Sequence, residues 1–154
     1  MGYMRHVYNP TKHKLFVPKN LEKYDGNVPI VLRSGLELKF ALWCDNEIKI
    51  VKWSSETIAI PYWNPIKKRY ANYYPDFFIT TDVNNKKLNY IIEIKPVKET
   101  PKGVINTINR SRSKNVLLLE KRKYMINSAK WNAALLFCNK YNMEFKIITE
   151  ESLK

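Results

Sequence analysis

The sequence predicts an α/β domain with a mixed central β-sheet flanked by helices, and three observations predict it. Apolar residues recur at helical spacing near residue 40, at strand spacing through residues 50–95, and at helical spacing again after Pro101, before a last strand-like run at Glu144–Thr149. No Gly/Ser linker, internal repeat or low-complexity tract interrupts that order. A chain of 154 residues, 45% of them hydrophobic, is long enough to bury roughly 70% of its unfolded surface as one unit.

Residues 1–30 read as an irregular basic arm. Pro10, Pro18, Pro29 and Gly26 interrupt any regular pattern, while Tyr3, Tyr8, Phe16 and Tyr24 offer apolar anchors that pack on the core or contact a partner. Residues 31–154 read as the domain itself. Ser34 can N-cap a helix over Gly35–Asp45 in which Leu36, Phe40, Trp43 and Cys44 form a buried stripe. Glu37, three residues after Ser34, fits both a capping box and the acidic first turn that complements a helix dipole. Ile50–Trp53 and Thr57–Tyr62 read as strands, and Asn64-Pro65 with Lys67, Lys68 and Arg69 as a basic turn. A strand over Tyr74–Thr80 and another over Leu88–Pro96, joined by a hairpin at Asp82–Lys87, complete an antiparallel meander. One basic helix containing Val116–Leu119 and a second over Tyr124–Tyr141 precede the final strand. Trp43, Trp53 and Trp131 are expected in the core.

The composition excludes several classes of function. No run of about 18 uncharged apolar residues exists, so a transmembrane helix is not expected. Residues 1–8 lack an apolar h-region, so no secretory signal is expected either. Cys44 and Cys138 sit among apolar neighbours and read as buried free thiols of a reducing compartment, too few for a cysteine-based zinc site. With four Gly in all and no phosphate-cradling loop, the chain does not read as an NTPase. His6 and His13 lie in the arm away from partner acids, so a His-based nucleophile system is not visible.

The charge points to a polyanion. The formal net charge is +13, with 27 Lys+Arg against 14 Asp+Glu. Genome bias toward Lys and Asn is the plain alternative. The excess is concentrated, however: between Pro101 and Lys140 nine cations face the single acid Glu120. Membrane binding would want such charges opposite an apolar stripe near a chain end, and this segment is interior, so nucleic acid is favoured. Arg110, Arg112, Lys114, Lys121 and Lys130 are the candidate phosphate contacts, against the alternative of a solvated helix face. Arg33, just before the first helix, either grips a phosphate or pairs with Glu37. Tyr62, Trp63, Tyr70, Tyr73 and Tyr74 interleave with cations and are candidates for stacking on frayed DNA ends, although such aromatics are more often core.

One constellation carries chemistry. On a strand Glu93 and Lys95 point the same way while Ile92, Ile94 and Pro96 point the other. Alone, that pair is an ordinary exposed strand face. Asp76, after Pro75 at the start of the preceding hairpin strand, can be brought beside Glu93. Two carboxylates together are costly unless a cation sits between them, and a hard cation, Mg²⁺ or Mn²⁺, is the natural occupant. Lys95 then lies at the edge of that site, near an attacking water or a scissile phosphate.

Pro75-Asp76 followed by Glu93-Ile94-Lys95 on the next strand resembles the PD-(D/E)xK nuclease signature, with Glu37 in the position of the extra acid that the family carries on a preceding helix. Arg33-Ser34-x-x-Glu37, the Trp53-Ser54-Ser55-Glu56 stretch, a proline-bearing strand and Tyr74-Pro75-Asp76-Phe77 are similar to the head completion nucleases of T-even-like tailed phages and to TnsA-like transposase endonucleases. The resemblance runs from about Arg33 to Lys95, and more loosely through Lys130–Phe137. It implies a restriction-endonuclease-like fold and a metal-dependent DNA endonuclease. Asp76 and Glu93 would hold Mg²⁺, for which Mn²⁺ substitutes, with the Ile94 carbonyl a further ligand and Glu37 completing the acidic set. Lys95 would position or help deprotonate water and stabilise the pentacovalent phosphate. It further implies DNA as substrate, phage head, portal or neck proteins as partners, no membrane, and a setting in the host cytoplasm or the virion. A junction-resolving or TnsA-like transposition nuclease is the nearer alternative, although the C-terminal binding domain of a TnsA-type protein is not seen. A non-catalytic DNA-binding virion protein is the more distant one. The motifs set no oligomeric state.

Overall fold

The computed structural model describes residues 9–110 and 113–153, and its architecture is the expected mixed α/β domain. The arm contributes a first short strand, β1 (Lys14–Phe16), which pairs antiparallel with β2 (Ile30–Leu32). Helix α1 (Gly35–Asn46) follows, then β3 (Ile50–Ser55), the hairpin β4 (Ile60–Asn64) and β5 (Arg69–Tyr73), and the long hairpin β6 (Phe77–Val83) and β7 (Lys86–Ile94). A short 3₁₀ turn at Val97–Glu99 leads into α2 (Pro101–Arg110), then α3 (Lys114–Lys140) and β8 (Glu144–Ile148).

The central sheet has the order β3-β6-β7-β8. Its first three strands run antiparallel, and β8 returns parallel to β7 after the α2–α3 crossover. One face of the sheet packs on α1 and the arm through Leu32, Phe40, Cys44, Trp53, Phe77, Ile79, Ile92 and Ile94. The opposite face packs on α3 and the β4–β5 hairpin through Ile60, Tyr73, Ile91, Trp131 and Ala134. Both cysteines are buried free thiols, one in each core. Among the described residues no helix is long and apolar enough to cross a membrane.

The expected meander is interrupted. β4 does not pair with β3, because both edges of β3 are taken: β6 lies along one, and the arm bridges the other, with Tyr24 opposite Trp53 and Asp25 N–H donating to the Trp53 carbonyl at 2.9 Å. β4 therefore leaves the sheet and pairs with β5, a strand that the sequence did not predict and that follows the expected basic turn. The turn itself is real, with Asn64 Oδ1 accepting from the backbone of Ile66 and Lys67 at 3.0 Å each. The two C-terminal helices expected around residues 116–141 are instead one, since no Gly or Pro interrupts Lys114–Lys140, and α2 precedes it. Trp53 and Trp131 are buried as expected. Trp43 is not: it is 43% exposed, and the inward positions of α1 are Phe40, Ala41, Cys44 and Asp45.

Asp45 explains how the arm is held. Its buried carboxylate accepts the backbone N–H groups of Lys19 and Asn20 at 2.9 and 3.0 Å. The Lys23 ammonium donates to the carbonyls of Cys44, Asp45 and Glu47, satisfying the open C-terminal end of α1. The segment that the sequence marked as irregular is thus strapped to the helix whose other end carries Glu37. Tyr3, Tyr8 and His6 lie outside the described residues.

The crossover is fixed close to Lys95 by one glycine. A Cβ on Gly103 would overlap the carbonyl oxygen of Val97 and stand 2.6 Å from Lys98 Cα, so only glycine lets α2 seat on the 3₁₀ turn. Gly103→Ala should therefore destabilise the protein by about 1–3 kcal/mol, the usual cost of overpacking, despite the higher helix propensity of alanine. Urea unfolding checks this; an unchanged or raised midpoint would show that α2 is not seated so closely.

Candidate active site

Two local features bring the acids together. The register of the β6–β7 hairpin pairs Phe77 with Ile92, so Asp76, one residue before β6, comes opposite Glu93. The Ile94 N–H donates to Asp76 Oδ2 at 2.7 Å and fixes that carboxylate across the strand pair. Glu93 is almost fully buried, at 6% exposure, and both of its oxygens are engaged. Lys95 Nζ lies 3.4 Å from Oε1, and the Tyr73 hydroxyl donates to Oε2. Ile91 packs with α3 while Ile92 and Ile94 pack with α1, so the strand alternation expected for Glu93 is realised.

Glu37 approaches from the first turn of α1. Ser34 is the N-cap, its hydroxyl accepting from the Glu37 N–H at 3.1 Å. Glu37 Oε2 accepts from the Arg33 N–H at 3.0 Å, one residue earlier than in a regular capping box. The capping role is therefore present in substance, and the same side chain lies close enough to Asp76 for its charge to be felt there.

The electrostatics make Asp76 the strained member. Burial is the largest cause that pushes its carboxyl well above the ordinary range, and the charges of Glu93 and Glu37 push it further. The Ile94 N–H and the Lys95 ammonium act in the opposite direction without winning. A group that prefers its proton among other carboxylates is one that a divalent cation would relieve.

The donor set fits such a cation: three carboxylates and no His or thiolate, the chemistry of a hard ion with oxygen ligands. Among the described residues, no three acidic, His or Cys side chains already converge in a metal-holding arrangement. Each acid is instead tied to its own neighbours, Asp76 to Ile94, Glu37 to Arg33, and Glu93 to Tyr73 and Lys95.

The cations are distributed differently from the expectation. Arg33 donates its backbone N–H to the Glu37 carboxylate, while its guanidinium pairs with Glu56. Glu56, in the left-handed region at φ 54°, donates its N–H to the Asp76 carbonyl at 3.1 Å, so this ion pair braces the corner against the start of β6. Arg110 ends α2, and Lys114 and Lys121 lie exposed on the first half of α3. Arg112 lies outside the described residues. Lys130 sits farther along α3, its ammonium 5.7 Å from the Tyr73 ring centroid and 5.8 Å from that of Tyr62. Tyr73, grouped in the sequence with stacking aromatics, is a buried neighbour of Glu93. No periodic signal marked it, because Arg69–Tyr73 lacks a regular alternation of apolar and polar residues.

A mixed sheet flanked by helices in this order is consistent with an endonuclease domain, and the sequence comparisons show that class. Residues 47–150 match the family described as TnsA-like endonuclease N terminal, a span that includes Asp76, Glu93 and Lys95 and begins after Glu37. The chain belongs to this family of nucleases. It is also 33% identical over 140 residues to the head completion nuclease of Enterobacteria phage T4, covering 90% of this chain and 91% of that protein.

The raised carboxyl of Asp76 has a consequence for stability. A folded-state carboxyl raised above its unfolded value holds its proton more tightly when folded, so stability falls as pH rises from the ordinary carboxylate range through the raised value. Asp76→Asn removes the charge and keeps an oxygen for the Ile94 N–H. Its metal-free melting temperature should exceed that of the wild type by roughly 2–4 °C at pH 8, the shift that about 1 kcal/mol gives in a chain of this size. The difference should shrink as pH is lowered. Thermal unfolding in EDTA across pH checks both; a variant less stable at pH 8 would show that the acids do not repel.

Proposed function

We propose that the chain is a divalent-cation-dependent DNA endonuclease whose reaction centre is Asp76, Glu93 and Lys95, with Glu37 as the third acid. The observation that carries this reading is the half-buried Asp76 carboxylate, which feels the charges of Glu93 and Glu37 and lies opposite a Glu93 paired with Lys95, in a chain of the TnsA-like endonuclease family. Asp76 and Glu93 would hold the cation, Mg²⁺ with Mn²⁺ as substitute, and Glu37 would complete the set directly or through water. Held there, the ion supplies charge compensation on the phosphate oxygens, a more acidic water and support for the leaving oxygen.

The remaining roles belong to this chain. Lys95, partly exposed and 3.4 Å from Glu93 Oε1, is placed to orient the attacking water and to take up negative charge on the pentacovalent phosphate. The Arg33–Glu56 pair steadies the corner beside Asp76, and Arg33 can exchange this partner for a phosphate. Arg110, Arg112, Lys114, Lys121 and Lys130 provide sequence-independent grip on the DNA backbone, along a crossover whose first helix begins six residues after Lys95. Residues 31–154 carry the nuclease and residues 1–30 form its basic arm, which Lys19, Asn20 and Lys23 strap to α1. By its likeness to the T4 protein, the role is in completing the DNA-filled phage head, in the infected host cell or the virion, with head or portal proteins as partners.

Nicking of supercoiled plasmid tests the reading. With Mg²⁺ or Mn²⁺ the wild type should convert it to open circles, and EDTA should abolish the conversion. Asp76→Ala and Lys95→Ala should each lower the rate by about 10²-fold or more, the scale of losing one member of a preorganised electrostatic site. Cleavage that survives Asp76→Ala would place the active site elsewhere.

A further inference from the structure

Resting on the metal-dependent reading above, we propose that Tyr73 is a positioning residue: its hydroxyl, delivered by the β4–β5 hairpin, fixes the Glu93 carboxylate in the orientation that receives the cation. Tyr73 is 1% exposed and Glu93 is 6% exposed, so neither group can turn to bulk water for its hydrogen bonds. The terminal torsion of a glutamate is broad and roughly two-fold, so burial alone does not choose which oxygen faces which neighbour. Two different partners do choose: the phenol donates to Oε2, while the Lys95 ammonium lies beside Oε1.

The placement of Tyr73 is itself over-determined. It ends β5, opposite Ile60 of β4, and both residues are buried in the core that the hairpin shares with α3. The Lys130 ammonium on α3 stands 5.7 Å from its ring centroid, an attraction that helps to hold the ring. A hairpin outside the central sheet thus presents one hydroxyl to one carboxylate. A tyrosine that merely needed an acceptor for its hydroxyl could have taken a backbone carbonyl; here the acceptor is the acid opposite Asp76.

Calorimetric titration of Mn²⁺ into wild type, Tyr73→Phe, Glu93→Gln and the double variant tests this, with urea unfolding of each. Tyr73→Phe keeps the buried ring and should unfold cooperatively while binding Mn²⁺ about 10–100-fold more weakly, the usual loss when a ligand's outer partner is removed. In the Glu93→Gln background the same change should cost nothing further. Lys130→Met, which leaves the hydroxyl in place, should weaken Mn²⁺ binding severalfold, and it carries the test should Tyr73→Phe not fold. Wild-type affinity retained in Tyr73→Phe, or in Lys130→Met where that variant carries the test, would overturn this inference alone. An equal loss on top of Glu93→Gln would also overturn it, because the effect would not run through Glu93. A wild type that binds no Mn²⁺ would overturn the metal-dependent reading and this inference with it.

Discussion

The pairing of β6 with β7 is the constraint on which the site depends. With Phe77 opposite Ile92, Asp76 meets Glu93 and its carboxylate reaches the Ile94 N–H. A slip of one residue would turn Glu93 toward α1 and Ile92 toward α3, exchanging a buried charge with a core side chain. The hydrophobic pattern forbids that slip, since Ile91 belongs to one core and Ile92 and Ile94 to the other. The same apolar residues that build the two cores therefore place the acids, and the chemistry needs no separate scaffold.

That placement conflicts with stability, and the surrounding contacts contain the conflict. Asp76 is pushed toward its protonated form by burial and by two neighbouring acids. Around it every support is a specific donor: Ile94 N–H for Asp76, Arg33 N–H for Glu37, and the Tyr73 hydroxyl and Lys95 for Glu93. The braces come from distant parts of the chain. Arg33 reaches Glu56, and the arm caps the far end of α1 through Lys23 and Asp45. A chain that keeps repelling carboxylates side by side needs its nearby backbone held, and this one holds it from both sheet faces.

Much of this was legible in the sequence because it is local. The Ser34 cap, the turn between β6 and β7, and the spacing of Glu93 and Lys95 are all set by neighbours a few residues apart. What stayed hidden is long-range. Nothing in Thr57–Tyr62 says that both edges of β3 are already occupied, so the departure of β4 from the sheet could not be read. β5 was masked by the basic turn before it and by its own polar composition. Arg33 offered Glu37 as an obvious partner, four residues away, whereas Glu56 lies beside it only after folding. Trp43 looked inward because it follows Phe40 by three residues, yet α1 turns Ala41 and Asp45 to the interior and leaves the indole at the surface.

The central claim is that the crowded carboxylates form a cation site, and crystals soaked in Mn²⁺ test it most directly. Anomalous scattering at the manganese edge should give its main peak between Asp76 and Glu93, within about 2.3 Å of an oxygen of each, the distance expected for a small hard divalent ion. A main peak away from both residues, with the Asp76 and Glu93 side chains unmoved, would contradict the account.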